Sequence, residues 1–184
     1  WAARLWWMLR VFGFNNAVVL DGGYTKWVAE NRPIDNKIVI PSVANFSSKF
    51  QPEILANRER VLDATMNENV CLINTLVSDE FEGRPPQRYQ RSGHIPSSVN
   101  VPWTKTVNVD SQLYSEDGGA RSTFEAVGAS SAKEIICYCG GGIAACSAAL
   151  LLAHLGFDNV SVYDGSMTEW AADPSLPLES GLVS

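Results

Sequence analysis

Apolar residues in this chain come in short blocks, set apart by polar stretches rich in glycine and proline. The blocks at Val70 to Asn74, Ile135 to Tyr138 and Val160 to Tyr163 have the length of buried strands. Helical spacing predicts a helix over Pro52 to Met66, with Ile54, Leu55, Val61 and Leu62 on one face, and further helices over Ala145 to Leu155 and Met167 to Ala172. Between them, Asp79 to Gly83 reads as a small helical turn, Arg84 to Ser92 as a loop and His94 to Pro102 as an extended path with Val99 and Val101 alternating. Val107 to Gly119 reads as another loop and Thr123 to Val127 as a short helix. This alternation predicts an α/β fold, a parallel sheet flanked by helices on both faces, with reactive groups at the carboxyl ends of the strands.

The pattern repeats. Displaced by 143 positions, Leu9, Gly13, Phe14, Asn16, Val19, Asp21, Gly22, Thr25 and Trp27 fall on Leu152, Gly156, Phe157, Asn159, Val162, Asp164, Gly165, Thr168 and Trp170. Both copies describe a helix ending at a glycine, a short apolar strand, an Asp-Gly turn and a new helix with its tryptophan facing inward. Residues 1–33 therefore read as the C-terminal fragment of a first domain, 34–49 as a polar linker with a short extended piece at Lys37 to Ile40, and 50–184 as a complete domain. In this frame the chain is a fragment, or one half of a nicked tandem protein whose N-terminal half is a separate polypeptide. Taken alone, Trp1, Leu5, Trp6, Trp7 and Phe12 would then form an exposed apolar patch.

Composition narrows the function classes. A formal charge of -6 and a pI near 4.9 offer no general attraction for nucleic acid or an anionic membrane, so an anionic substrate needs a local basic patch. No apolar stretch has membrane-spanning length. The opening segment carries Arg4 and Arg10 and lacks a cleavage signature. Cys71, Cys137, Cys139 and Cys146 do not form a disulfide framework, and His94 and His154 supply no zinc spacing. We expect a reducing, cytoplasmic setting with no cofactor and no metal.

The chemistry concentrates at Cys139. It ends an apolar strand and is followed at once by Gly140, Gly141, Gly142, Ile143 and Ala144, then by an Ala-rich helix. The thiolate is the reactive species, and free backbone N–H groups at a helix start favour it. Glycines leave those groups uncovered, so the loop can curl around a negatively charged sulfur. The alternative is an inert buried cysteine beside a glycine turn.

Three stretches together resemble the rhodanese-like sulfurtransferases, in particular the tandem-domain thiosulfate and 3-mercaptopyruvate type. They are Arg91-Ser92-Gly93-His94-Ile95-Pro96-Ser97-Ser98-Val99-Asn100-Val101-Pro102-Trp103, Tyr138-Cys139-Gly140-Gly141-Gly142-Ile143-Ala144-Ala145, and Gly156-Phe157-Asp158-Asn159-Val160 with Tyr163-Asp164-Gly165-Ser166-Met167-Thr168-Glu169-Trp170. The resemblance implies a rhodanese-like sheet and a ping-pong reaction. Cys139 would take sulfur from thiosulfate or 3-mercaptopyruvate, hold it as a persulfide and pass it to cyanide or a thiol. It also implies that the loop N–H groups of Gly140 to Ala144 bind the transferred sulfur and that Arg88, with Arg91 second, binds the anionic donor.

The chain departs from the family pattern at Asn74 and Leu76, where an Asp and an Arg are usual, and at Glu80, where some tandem members carry arginine. These changes sustain a second reading, a non-catalytic rhodanese-like binding or regulatory module. The loop also spells G-x-G-x-x-A with Asp164 downstream, a weak dinucleotide pattern, and its architecture is near that of a phosphatase whose loop is longer and carries arginine. His94 is expected to tie loops together, Trp103 and Trp170 to pack, and Cys137 to be buried on the opposite strand face from Cys139. Cys146 is the better candidate for a resolving thiol.

Overall fold

The computed structural model describes residues 1–115 and 117–181. The elements, in chain order, are α1 (Ala2–Val11), α2 (Gly23–Ala29), β1 (Leu55–Ala56), α3 (Arg58–Ala64), β2 (Val70–Asn74), α4 (Ser78–Phe81), β3 (Val99–Asn100), α5 (Trp103–Thr106), α6 (Asp117–Glu125), β4 (Glu134–Tyr138), α7 (Ile143–His154), β5 (Val160–Tyr163) and α8 (Ser166–Trp170). The five strands form one sheet in the order β1-β5-β4-β2-β3, with every adjacent pair parallel. Its centre is β4, made of five residues with β-branched Ile135 and Ile136 at its heart and strands on both sides.

Successive side chains of a strand point to opposite faces, so β4 feeds two cores. Ile135 and Cys137 join the face covered by α1, α6 and α7, where Phe124, Cys146, Ala149 and Leu152 are buried. Ile136 and Tyr138 join the other face, with Val61 of α3 and Met167 and Trp170 of α8. Cys139 continues the first series, so Cys137 and Cys139 share a face. The expected opposite placement fails because residues two apart on a strand point the same way.

Other expectations shift for physical reasons. The predicted helix at Pro52 to Met66 is three pieces: a 3-10 turn at Pro52–Ile54, strand β1 and helix α3. Leu55 and Ala56 pair with Val162 and Tyr163 at the sheet edge, and the Asn57 side chain accepts the Arg60 N–H at 2.9 Å, an N-cap that starts α3 late. Helix α6 begins within the stretch read as a loop, because Ala120 and Phe124, one turn apart, drop into the core. Helix α7 starts two residues early, at Ile143.

Residues 1–33, expected to be the end of a first copy, form helices α1 and α2 but no strand. Val18 and Leu20 are exposed and have no ladder partner among the described residues, and no strand forms at Lys37 to Ile40. The expected apolar patch is half covered. Trp6 and Trp7 are buried, with Ala3 and Val11, against α7, whereas Trp1, Leu5 and Phe12 are exposed. Every residue from 31 to 50 is exposed. No helix among the described residues is long and apolar enough to cross a membrane.

Candidate active site

The carboxyl ends of β2, β4 and β5 converge where Asn74, Cys139 and Asp164 leave the sheet. Cys139 is buried, only 3% exposed, and its backbone is held from both directions. Its N–H donates to Ser166 Oγ at 3.1 Å, and its carbonyl accepts the Met167 N–H at 3.0 Å. The Ser166 hydroxyl in turn donates to the Tyr163 carbonyl at 2.8 Å. Ser166 adopts φ 50°, a left-handed conformation unusual for a serine and held by these bonds. The next carbonyl, Gly140 O, accepts both the N–H and the hydroxyl of Thr168, at 2.9 and 2.7 Å. The closing β5–α8 segment thus anchors the start of the loop.

Beyond that anchor the loop turns its donors free. Among the described residues, none of the backbone N–H groups from Gly140 to Ala144 donates to a protein acceptor; the first bond into α7 runs from the Cys146 N–H to the Gly142 carbonyl at 3.1 Å. Gly142 makes the turn at φ 78°. A row of unpaired N–H groups at the head of a twelve-residue helix is the physical requirement for holding an anionic sulfur.

The expected arginines part ways. Arg91 is not aimed at the site: its guanidinium donates to the carbonyls of Trp170, Ala171, Asp173 and Leu176 at 2.6–3.1 Å, closing the C-terminal end of α8. The fork is thus taken up by carbonyls at and beyond the end of α8, which is a structural use of Arg91. Arg88 is 65% exposed and pairs through Nε with Glu80 Oε1 at 3.0 Å, so the departure at Glu80 supplies its partner. Between Arg88 and the loop stands Tyr89, whose hydroxyl lies against Gly140, where a Cβ would collide with it. Burial, Glu80 and then Cys139 all push the Tyr89 hydroxyl pKa up.

The other cysteines are free thiols held neutral by their surroundings. Burial drives Cys137 well above its ordinary range and raises Cys71. Burial pushes Cys146 up to about 12, against the pull of Arg4. A protonated thiol is a poor nucleophile, so Cys146 does not meet the expectation of a resolving residue. His94 ties loops as expected: its Nδ1 lies 2.8 Å from the Phe81 carbonyl, its ring stacks on Phe81, and its backbone pairs with Glu179. Trp170 is fully buried and Trp103 sits at the rim.

The sequence does not place Tyr89, Ser166, Thr168, Asp164 and Arg4 beside the Cys139 loop, where the structure brings them. Asp164 and Thr168 did carry a signal, since each recurs in the repeat as Asp21 and Thr25. Arg4 carried none. Its guanidinium forms an ion pair with Asp164 and lies 3.9 Å from Cys146 Sγ.

Residues 72–173 match the rhodanese-like domain family. Among curated relatives, the chain is 33% identical to thiosulfate/3-mercaptopyruvate sulfurtransferase 1, mitochondrial, of Arabidopsis thaliana, covering 97% of this chain and 53% of that protein. It is 34% identical to the 3-mercaptopyruvate sulfurtransferase of Escherichia coli (strain K12), with 97% and 63% covered, and 30% identical to that of Mus musculus, with 98% and 62% covered. The chain thus spans roughly half to two thirds of the length of the relatives it matches. In fold it superposes on wild-type EanB with a TM-score of 0.86 at 22% identity, covering 98% of this chain and 44% of that one. An anaerobic ergothioneine biosynthesis enzyme from Chlorobium limicola, bound to trimethyl histidine, gives the same TM-score and identity, with 98% and 45% covered. The parallel sheet, the Cys139 loop at its carboxyl edge and these matches together make the chain a member of the rhodanese-like domain family.

Proposed function

We propose that this chain is a sulfurtransferase that moves sulfane sulfur from thiosulfate or 3-mercaptopyruvate to cyanide or a thiol, through a persulfide on Cys139. The observation that supports the reading is the row of N–H groups from Gly140 to Ala144, directly after Cys139, that have no protein acceptor among the described residues. In the first half-reaction the Cys139 thiolate attacks the outer sulfur of the donor. With thiosulfate the S–S bond breaks and sulfite leaves with its electron pair. With 3-mercaptopyruvate the C–S bond breaks, and the thiol proton ends on the carbon of the departing pyruvate. In the second half-reaction the acceptor anion attacks the terminal persulfide sulfur and restores the Cys139 thiolate. The loop donors offset the charge that the terminal sulfur carries between the two steps, and Arg88 at the mouth attracts the anionic donor in competition with Glu80.

The same reading takes residues 1–33 as the end of a first rhodanese-like copy, 34–49 as a linker and 50–184 as the domain that reacts. The nine aligned identities and the matching order of helices support it. A second reading, a non-catalytic module, draws on Arg91 and Arg88, since both guanidinium groups are already engaged.

One experiment separates the two. The protein is incubated with thiosulfate or 3-mercaptopyruvate, freed of donor and digested. We expect the peptide containing Cys139 to gain one sulfur atom, to lose it to cyanide, and to stay unmodified in a folded Cys139→Ser variant. A folded wild-type protein that takes sulfur from neither donor favours the module.

A further inference from the structure

We infer that Arg4, a residue of the first repeat copy, is a positioning residue for the Cys139 loop of the second; this rests on the sulfur-transfer reading above. Helix α1 reaches the loop because Ala3, Trp6, Trp7 and Val11 bury themselves on the face shared with α7. That docking brings the Arg4 guanidinium to Asp164, at the carboxyl end of β5, with Cys146 Sγ at 3.9 Å on its other side. Gly142 locates the pair. A Cβ there would collide with Asp164 Oδ1 and come within 2.6 Å of Arg4 Nη1, so the two charged groups lie on the turn where the loop becomes α7.

The arrangement acts on the loop in two ways. It packs the outer side of a left-handed turn that only glycine adopts readily, which fixes the direction of the N–H groups around Cys139. It also pairs Asp164, a carboxylate that would otherwise repel an anionic sulfur held by the loop. The device is not repeated in the first copy. The position aligned with Arg4 is Ser147, and Asp21, the counterpart of Asp164, accepts the Tyr114 N–H at 2.9 Å. A side chain from one copy therefore completes the site of the other.

The test uses the full chain and two readouts: the pH profile of Cys139 alkylation by iodoacetamide, which needs no donor, and the rate of sulfur loading. We expect Arg4→Met to move the alkylation midpoint upward and to slow loading about tenfold. Arg10→Ala, on the same helix and packed over Trp6, should change neither. An Arg4→Met protein with the wild-type midpoint, or an Arg10→Ala protein with the same defects, overturns the assignment. If Arg4→Met fails to fold, Asp164→Asn decides: freeing the Arg4 charge should lower the midpoint, and an unchanged midpoint overturns the inference. A wild-type chain that alkylates at Cys139 but takes sulfur from neither donor removes the sulfur-transfer reading, while the midpoints still decide the role of Arg4.

Discussion

Gly141 and Gly142 are neighbours in one glycine run, yet the structure asks different things of them. A Cβ on Gly141 would find its nearest neighbour, Thr168 Oγ1, at 3.9 Å, which is ordinary contact. At Gly142, φ is 78° and the Arg4–Asp164 pair occupies the space. We predict that Gly141→Ala folds with stability within about 0.5 kcal/mol of wild type. Gly142→Ala should cost about 1–2 kcal/mol for the left-handed backbone alone and also slow sulfur loading. Denaturant midpoints and the loading assay check both; equal behaviour of the two variants would remove the distinction. At this scale Cys139 and its glycines were legible because their chemistry is local, a strand end followed by a turn. The neighbours that hold them were not. Arg91 and Arg4 look alike in sequence, and only the tertiary path sends one to the end of α8 and the other to Asp164.

Elements with both neighbours in the sheet were the easiest to read: β2, β4 and β5 fall where their apolar runs lie, because a strand covered on both faces is apolar along most of its length. The stretch from Pro52 to Met66 failed because Ile54, Leu55, Val61 and Leu62 fit a helical spacing while the edge of β5 offered Leu55 a partner. Helix α1 poses a sharper question, since its tryptophans serve an interface rather than a domain of their own. Trp7 is 4% exposed and its Nε1 finds no acceptor among the described residues. Trp7→Ala should therefore cost about 3–5 kcal/mol. Trp7→Phe should cost much less, because it removes the unsatisfied donor along with part of the ring. Thermal and denaturant melts of the two variants give the comparison, and similar losses would deny that the unpaired donor matters. Strand β4 and helix α7 also contribute to the alkaline limit. Burial raises Tyr138 from 10.0 to about 12 and Cys146 from 9.0 to about 12, and raises Cys137 as well. The folded state keeps protons that the unfolded chain releases, so this contribution is whole below about pH 9 and is lost as pH rises towards 12. Stability should fall by on the order of 2 kcal/mol by about pH 10, and a flat profile of denaturant midpoints over that range would contradict the assignment.

At the scale of the whole molecule, the segment from 31 to 50 is exposed throughout, whereas helix α1, further upstream, is seated on the core that follows the segment. Its contacts with the preceding residues are few: the Pro33 carbonyl accepts the Trp27 Nε1–H at 2.8 Å, Phe46 meets Phe14 edge to face, and at the far end the Lys49 and Gln51 N–H groups donate to the Phe12 and Val11 carbonyls at 2.9 and 2.8 Å. On the proposed division, residues 34–49 would work mainly as a tether, keeping α1 at a high effective concentration over α7. Trypsin should cut first after Lys37, since the bond after Arg32 is followed by proline and the sheet is protected. The cut turns docking of α1 into an encounter between two pieces, which must then meet the entropic cost of association. On dilution of the nicked protein the α1 piece should leave, uncovering the α7 face and removing Arg4 from Asp164 together. Binding of a hydrophobic dye should rise, and sulfur loading should fall as it does in Arg4→Met, both reversing when the pieces are concentrated again. A nicked protein that loses its first piece yet melts and loads sulfur like the intact chain would show that residues 50–184 need nothing from residues 1–33, and that helix α1 merely rests on the domain it covers.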